Sequence, residues 1–439
     1  MIAQIDPKTK EARYFDIRKL TPRECGRLMG VPEDALIRMI EGTEEDRMKS
    51  GNNQHVSVFR RLTNSSLYKL FGNSIVVDVL AAIYRRLWYA DYDDVTDPNA
   101  PLPLFDEEPW TLAAPADGTP LRVVTLCSGY DAQCLALEVL AEWSRREGHT
   151  PLNYDLVAWS EFDPESRAPL ERQPAVVAHN LIFPQYADRN VGDMTKVDWN
   201  KVIEEYEKRK SETDMGRVCV CQGGLRASAA GEGVAVPESN EVRHGDSDRV
   251  RSFEIDLLTY STPCTDISQA GKRAGIAPGS GTRSAILWHT EDAVKALRPK
   301  ILLQENVAAL VNQQNIGWFR EWQRTLQRLG YDNYWQVLNA RDIAFWADLG
   351  PVPQNRDRVF MVSVRKDLHQ PPFQFPRPTA LRRTIADILE DDAPESFFLK
   401  PDSVCAFLRK NQQEPMVYHT TDHKLTKMEI EAIIAECKE

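Results

Sequence analysis

Between residues 121 and 365 six short apolar runs recur at intervals filled by helical stretches, and this alternation restricts the available folds more than any other feature of the chain. The runs are LRVVTL, YDLVAWS, IDLLTYS, KILLQENV, YWQVLNA and RVFMVSV. Short runs rich in Val, Ile, Leu and aromatic residues suit buried strands, and strands alternating with helices predict a doubly wound, mainly parallel α/β sheet. Ligands of such sheets bind at the carboxyl ends of the strands. Candidate functional residues are therefore those that follow the runs.

Around this core the chain divides by composition. Residues 1–87 read as helical: Leu20-Thr21-Pro22-Arg23-Glu24 combines an N-cap Thr, a Pro at the first helical position and a Glu three residues after the cap. A glycine turn at Phe71-Gly72-Asn73-Ser74 leads into residues 75–84, apolar on most faces and expected to be a buried helix. Residues 88–120 carry Asp91, Asp93, Asp94, Asp97, Asp106, Glu107, Glu108 and Asp117 among prolines, with no Lys or Arg before Arg122, as an acidic linker would. Residues 121–370 form the expected catalytic domain, interrupted at 211–252 by a Gly-, Ser- and charge-rich insertion expected to be flexible. Residues 371–439 start Pro-rich and end in one expected helix, capped by Thr426 and Glu429 and stapled by Leu425 and Ile430.

The 42% hydrophobic content of the 439 residues excludes global disorder. No apolar run approaches the ~20 residues that span a bilayer, and the first residues lack the apolar core of a signal peptide, so a cytoplasmic protein without membrane contact is expected. Eight cysteines in so long a chain fit reduced thiols. A net charge of −11 argues mildly against nucleic acid, but a sum does not exclude a local basic cleft.

Three segments beside strands bear reactive groups. Ser261-Thr262-Pro263-Cys264-Thr265 ends one run, which would bring the Cys264 thiol to the ligand edge. It is followed by the basic glycine loop Gln269-Ala270-Gly271-Lys272-Arg273-Ala274-Gly275 and by Arg283-Ser284. Glu305-Asn306-Val307 ends another run, and Gln354-Asn355-Arg356-Asp357-Arg358 precedes the last. Each has a bland reading, as a packing thiol, a solvated carboxylate or a surface arginine pair. Their combination in this order is not one expected by chance.

This constellation resembles the DNA cytosine-5 methyltransferase family. Thr125-Leu126-Cys127-Ser128-Gly129-Tyr130-Asp131 is similar to the family's first motif, Trp159-Ser160-Glu161-Phe162-Asp163 to its second and Gly192-Asp193-Met194 to its third. RKLTPRECGRLMG at 18–30 resembles the ninth motif and TNSSLYKLFGNSIVVDVL at 63–80 the tenth; the stretch from Phe373 resembles the connection after the eighth. The ninth and tenth motifs thus precede the first, which implies a circularly permuted member of bacterial or phage type. Departures are Cys127 at an aromatic position, Tyr130-Asp131-Ala132 in place of a glycine-rich turn, and Thr265 after the Pro-Cys pair where Gln is usual.

The resemblance implies an S-adenosylmethionine-dependent methyltransferase sheet with a small target-recognition region split across the termini. It further implies methyl transfer to carbon 5 of cytosine in duplex DNA, with the base flipped out, in restriction-modification or phage DNA modification; the sequence does not give the oligomeric state, and a monomer is the expectation. Cys264 would attack carbon 6, Glu305 would bond N3 and the exocyclic amine, Arg358 and Arg356 would bind O2 and hold the nucleophile loop, and Asn306 would order that loop. Glu161 would accept from the ribose hydroxyls, Phe162 would cover the adenine, Asp193 would accept from its amine, and Asn73 and Ser74 would contact the methionine end; Ser128 and Gly129 belong to the same cofactor site. Alternatives are a tRNA cytosine-5 methyltransferase and a non-catalytic DNA-binding relative. No metal is expected: Cys219 and Cys221 lack partners at zinc spacing, and His419 and His423 lack a metalloprotease Glu. No Gly-x-Gly-x-x-Gly follows a strand, which disfavours a nicotinamide enzyme.

Overall fold

The computed structural model describes residues 2–5, 12–15, 18–42, 62–89, 110–222, 253–267, 275–398 and 417–418, with the backbone alone at 2–5, 12–15, 213–222 and 417–418. The chain divides into two units, Met1–Leu28 with Thr384–Glu439, and Met29–Arg383.

In the first unit, strand β1 (Ile2–Ile5) pairs antiparallel with β2 (Ala12–Phe15) on one edge and with the strand Val417–Tyr418 on the other, so both ends of the chain share one sheet. Helix α1 (Pro22–Leu28) starts at the expected capping box: the Glu24 amide donates to Thr21 Oγ1 at 3.2 Å, and the Thr21 amide donates to Glu24 Oε2 at 2.7 Å. Glu24 is fully buried and takes a two-pronged bond from Arg18, at 2.7 and 2.6 Å, plus the Glu390 amide at 2.8 Å. Burial pushes this carboxyl up, but those donors outweigh it and leave Glu24 below its ordinary range. The expected helix around Thr426 lies outside the described residues.

The second unit contains α2 (Glu33–Glu41), α3 (Asn64–Asn73), α4 (Val77–Trp88), β3 (Leu121–Leu126), α5 (Ala132–Arg146), β4 (Tyr154–Ser160), α6 (Pro174–Ile182), α7 (Trp199–Gln222), β5 (Leu257–Tyr260), α8 (Thr290–Leu297), β6 (Ile301–Val307), α9 (Ile316–Arg328), β7 (Tyr331–Asn339) and β8 (Asp357–Arg365). The six strands form one sheet in the order β4-β3-β5-β6-β8-β7. The first four run parallel, and β8 is antiparallel to both its neighbours. The α/β, mainly parallel expectation therefore holds.

Alternation along each strand explains its burial. Val124, Leu126, Leu258, Tyr260, Leu302 and Met361 join one core cluster with Trp199 of α7, Leu297 of α8 and Trp322 of α9. The alternate residues Val123, Leu257, Ile301, Leu303 and Val362 are equally buried, as a sheet covered on both faces requires. Edge strand β7 departs from the expected buried run, because Trp335 and Val337 are exposed where no further strand follows.

Residues 64–88 are long and apolar enough by composition to cross a membrane, which corrects the expectation that no run comes close. The stretch is broken at residues 74–76 into α3 and α4, and α4 packs against α5 with all but one of its residues buried. Gly30, at φ +67°, belongs to the same packing: a Cβ there would lie 3.0 Å from Asp78 Oδ1. Burial pushes Asp78 up to about 6, against the pull of Arg383. Helix α7 continues to Gln222, so the first part of the segment expected to be flexible from 211 is helical. The side chains of Cys219, Cys221, His419 and His423 lie outside the described residues.

Candidate active site

The strand order reverses at β3, which has β4 on one side and β5 on the other. The loops leaving β3 and β5 therefore diverge and open a crevice at the carboxyl edge of the sheet. The loop after β3 is sharply turned: Cys127, Gly129 and Asp131 all have positive φ, at 51°, 61° and 67°. Asp131 fits this left-handed position because its side chain caps α5, accepting from the Cys134 amide at 3.1 Å and from Thr125 Oγ1 at 2.8 Å. A short polar side chain thus takes the part that a glycine would otherwise play.

This turn aims the Gly129 amide at Glu161 Oε2, 2.7 Å away at the end of β4. The Ser128 amide donates to Ser160 O at 3.2 Å, and Ser160 Oγ to Gly192 O at 2.7 Å, so the three segments are bonded side by side. Asn190, which sequence reasoning passed over, accepts from the amides of Glu161 and Gly192 at 3.3 and 2.9 Å. Burial raises Glu161 above the usual carboxylate range. Burial also pushes Asp193 upward, but Lys196 at 2.9 Å and the bonds from Thr195 outweigh it and hold that carboxyl low. Phe162 keeps an exposed ring, and Cys127 Sγ lies 3.7 Å from Met194 Sδ.

On the other side, Cys264 lies in the loop after β5, and Asn306 Nδ2 donates to Thr262 O at 3.0 Å. Glu305, buried on β6, accepts from Ser261 Oγ at 2.7 Å on one oxygen and pairs with Arg358 Nε at 3.0 Å on the other. The antiparallel register produces this pair: Arg358 stands opposite Val307, which shares a strand face with Glu305. Burial raises Glu305, only partly countered by Arg358. The Cys264 thiol is pushed up by burial and then by Glu305, while Arg358 and Arg356 pull the other way. Ser261 was not among the expected residues, although its place three before the cysteine, at the strand end, was available as a signal.

The two sides line one cavity of about 750 Å³. Cys264, Glu305 and Arg358 border it together with Asn73, Ser74, Ser128, Gly129, Glu161, Phe162 and Asp193, which brings ten of the eleven expected site residues to one space. Arg356 is the exception; its guanidinium turns to the carbonyls of Gly72 and Ser74. Tyr130 also lines the cavity, buried edge-on against Phe71, and Lys69 and Arg283 meet over Asp163 at its rim. A space of this size, with two carboxylates and an open aromatic ring on one side, fits a nucleoside carrying an amino-acid tail. Among the described residues no cluster of metal-ligating side chains occurs.

A family model for C-5 cytosine-specific DNA methylases matches residues 2–88 and 236–435, well over half of the chain. The chain belongs to the C-5 cytosine-specific DNA methylase family. Relatives include the type II methyltransferase M2.ScrFI of Lactococcus lactis subsp. cremoris, 40% identical over 34% of this chain and 39% of that protein. The orphan methyltransferase M.SssI of Spiroplasma monobiae is 40% identical over 31% of this chain and 35% of its own length. The matches thus span less than half the length of these relatives. Among solved structures, the S. pombe Dnmt2 methyltransferase aligns over 72% of this chain and 81% of its own, at 15% identity and a TM-score of 0.36.

Proposed function

We propose that this protein transfers a methyl group from S-adenosylmethionine to carbon 5 of a cytosine flipped out of duplex DNA. The observation that carries the reading is the single cavity bordered both by Cys264, Glu305 and Arg358 and by Glu161, Phe162 and Asp193. It lets two reactants meet. The Cys264 sulfur adds to carbon 6 of the base, which makes carbon 5 nucleophilic. Glu305, raised by burial, holds N3 and the exocyclic amine and limits the negative charge that builds on the ring. Arg358 keeps Glu305 oriented and faces O2. Once bound, S-adenosylmethionine supplies an electrophilic methyl group; Glu161 and Phe162 would hold its ribose and adenine, Asp193 its amine, and Ser74 with Asn73 its methionine end. Carbon 5 takes that methyl group as its bond to the donor sulfur breaks and S-adenosylhomocysteine is left; the carbon 5 proton then passes to a solvent base, and the carbon 6–sulfur bond breaks with its electron pair on sulfur, which frees the methylated base and the Cys264 thiolate.

The packing of α4 on α5 supports a permuted motif order, since the helix preceding the linker lies beside the one that follows β3. The sheet shared by both ends of the chain is the region we assign to target recognition. The type II relatives support a role as the modification partner of a restriction enzyme; a phage-borne modification role, and action as a monomer in the cytoplasm, belong to the same proposal.

The test is labelled methyl transfer to mixed-sequence duplex DNA, with tRNA in parallel and Cys264→Ser beside the wild type. Methylation of DNA at carbon 5 that falls by a factor on the order of 10³ or more in the variant is expected. Label in tRNA alone, or S-adenosylmethionine binding without any transfer, would overturn the reading.

A further inference from the structure

Arg358 is the second residue of β8, and Arg356 lies in the loop immediately before that strand, two positions earlier. Arg358 goes to Glu305, whereas Arg356 does not border the cavity. Its Nη2 donates to Gly72 O at 2.9 Å and to Ser74 O at 2.7 Å. Gly72 lies in the last turn of α3, where carbonyls have no partner within the helix and a cation suits the negative end of the dipole. The same turn carries Asn73 and Ser74 into the cavity.

The anchor itself is rigid. The Arg356 amide donates to Asn339 Oδ1 at 3.2 Å and its carbonyl accepts from the Ala340 amide at 3.1 Å. Asn339 Nδ2 donates to Asn355 Oδ1 at 2.6 Å and to Asp357 Oδ1 at 2.8 Å, which fastens this loop to the end of β7. Burial, then Arg358, lowers the Arg356 guanidinium to about 10, so it remains a cation at neutral pH.

We propose that Arg356 is a positioning residue for the methyl-donor end of the cavity, acting through the Gly72–Ser74 turn and not on the target base. This rests on the reading that S-adenosylmethionine occupies that end. One strand start then sets both the carboxylate on the base side, through Arg358, and the turn on the donor side, through Arg356, which fixes the separation of the two reactants.

Calorimetric binding of S-adenosylhomocysteine to the full chain, with steady-state kinetics and thermal melts, tests this in Arg356→Ala, Arg356→Lys and Arg358→Ala. Arg356→Ala is expected to weaken S-adenosylhomocysteine about tenfold. It should also raise the KM for S-adenosylmethionine by more than it lowers kcat, and Arg356→Lys should recover most of the loss by restoring a cation to the two carbonyls. Arg358→Ala should instead lose kcat with donor affinity kept. If the melt shows that Arg356→Ala does not fold, Arg356→Gln, neutral but with one donor, is expected to weaken S-adenosylhomocysteine several-fold. Unchanged donor affinity with kcat lost as in Arg358→Ala would overturn the proposal. Failure of the wild type to bind S-adenosylhomocysteine would remove the proposed function itself, and the two failures are told apart by which protein shows them.

Discussion

Asn306 holds the loop of Cys264 from the neighbouring strand: its Nδ2 donates to Thr262 O at 3.0 Å, two residues before the cysteine. Its own Oδ1 accepts from the Val307 amide at 2.9 Å, which fixes the orientation of the side-chain amide.

Removal of that tether should misplace the thiol without touching it. Asn306→Ala is expected to lower kcat about 10- to 100-fold, since a shift of about 1 Å costs a rate of that order. Stability should fall by about 1–2 kcal/mol for the buried carbonyl left unbonded. Steady-state kinetics and urea unfolding check this; an unchanged kcat would show that the loop is held by other contacts.

The Cys264 thiol is raised by burial and by Glu305, so it is protonated at neutral pH in the free protein. Alkylation by iodoacetamide, followed by mass spectrometry of the Cys264 peptide, should be slow at neutral pH and accelerate as pH rises past the ordinary thiol range. Glu305→Gln removes the negative neighbour and should speed labelling at a given pH. Arg358→Ala removes the positive one and should slow it. The reverse order would contradict the electrostatic account.

Glu161 predicts how donor binding depends on pH. Burial raises its carboxyl, and only the ionised form accepts fully from the Gly129 amide and from a ribose hydroxyl. As pH falls through that raised value the carboxylate is neutralised, so across the acidic range affinity for S-adenosylhomocysteine should begin to drop at a higher pH than an ordinary Glu, at about 4.3, would give. Glu161→Gln should bind more weakly and show no such drop. Calorimetry across that range decides.

Asp131 combines a helix cap, a bond from Thr125 and a left-handed backbone at φ 67°. Asp131→Ala loses all three adaptations and is expected to destabilise the fold by about 2–4 kcal/mol. Asp131→Gly, free of the backbone strain, should recover about 1 kcal/mol of that loss. Thermal melts of the two variants make the comparison, and equal melts would show that the turn carries no strain.

Much of this was legible because it is local. The runs LRVVTL and YDLVAWS coincide with β3 and β4, and the Thr21 to Glu24 cap closes as its spacing implies, since side-chain period and cap offsets depend only on near neighbours. The order of the motifs likewise brought ten of eleven expected residues to one cavity. Residues 64–88 show the limit: their composition satisfies the length of a membrane span, and only packing reveals them as two helices parted at residues 74–76, the second of them in the core.

What the residues alone determined is thus the sheet, its reactive edge and the identity of the groups placed there. Tertiary structure alone decided how those groups are shared. Arg356 and Arg358 are chemically alike and two residues apart, yet one caps a helix end 284 positions away in the chain and the other clasps Glu305. No local pattern encodes that difference, because the partner of a long cationic side chain is set by which unsatisfied carbonyl or carboxylate the fold leaves within its reach.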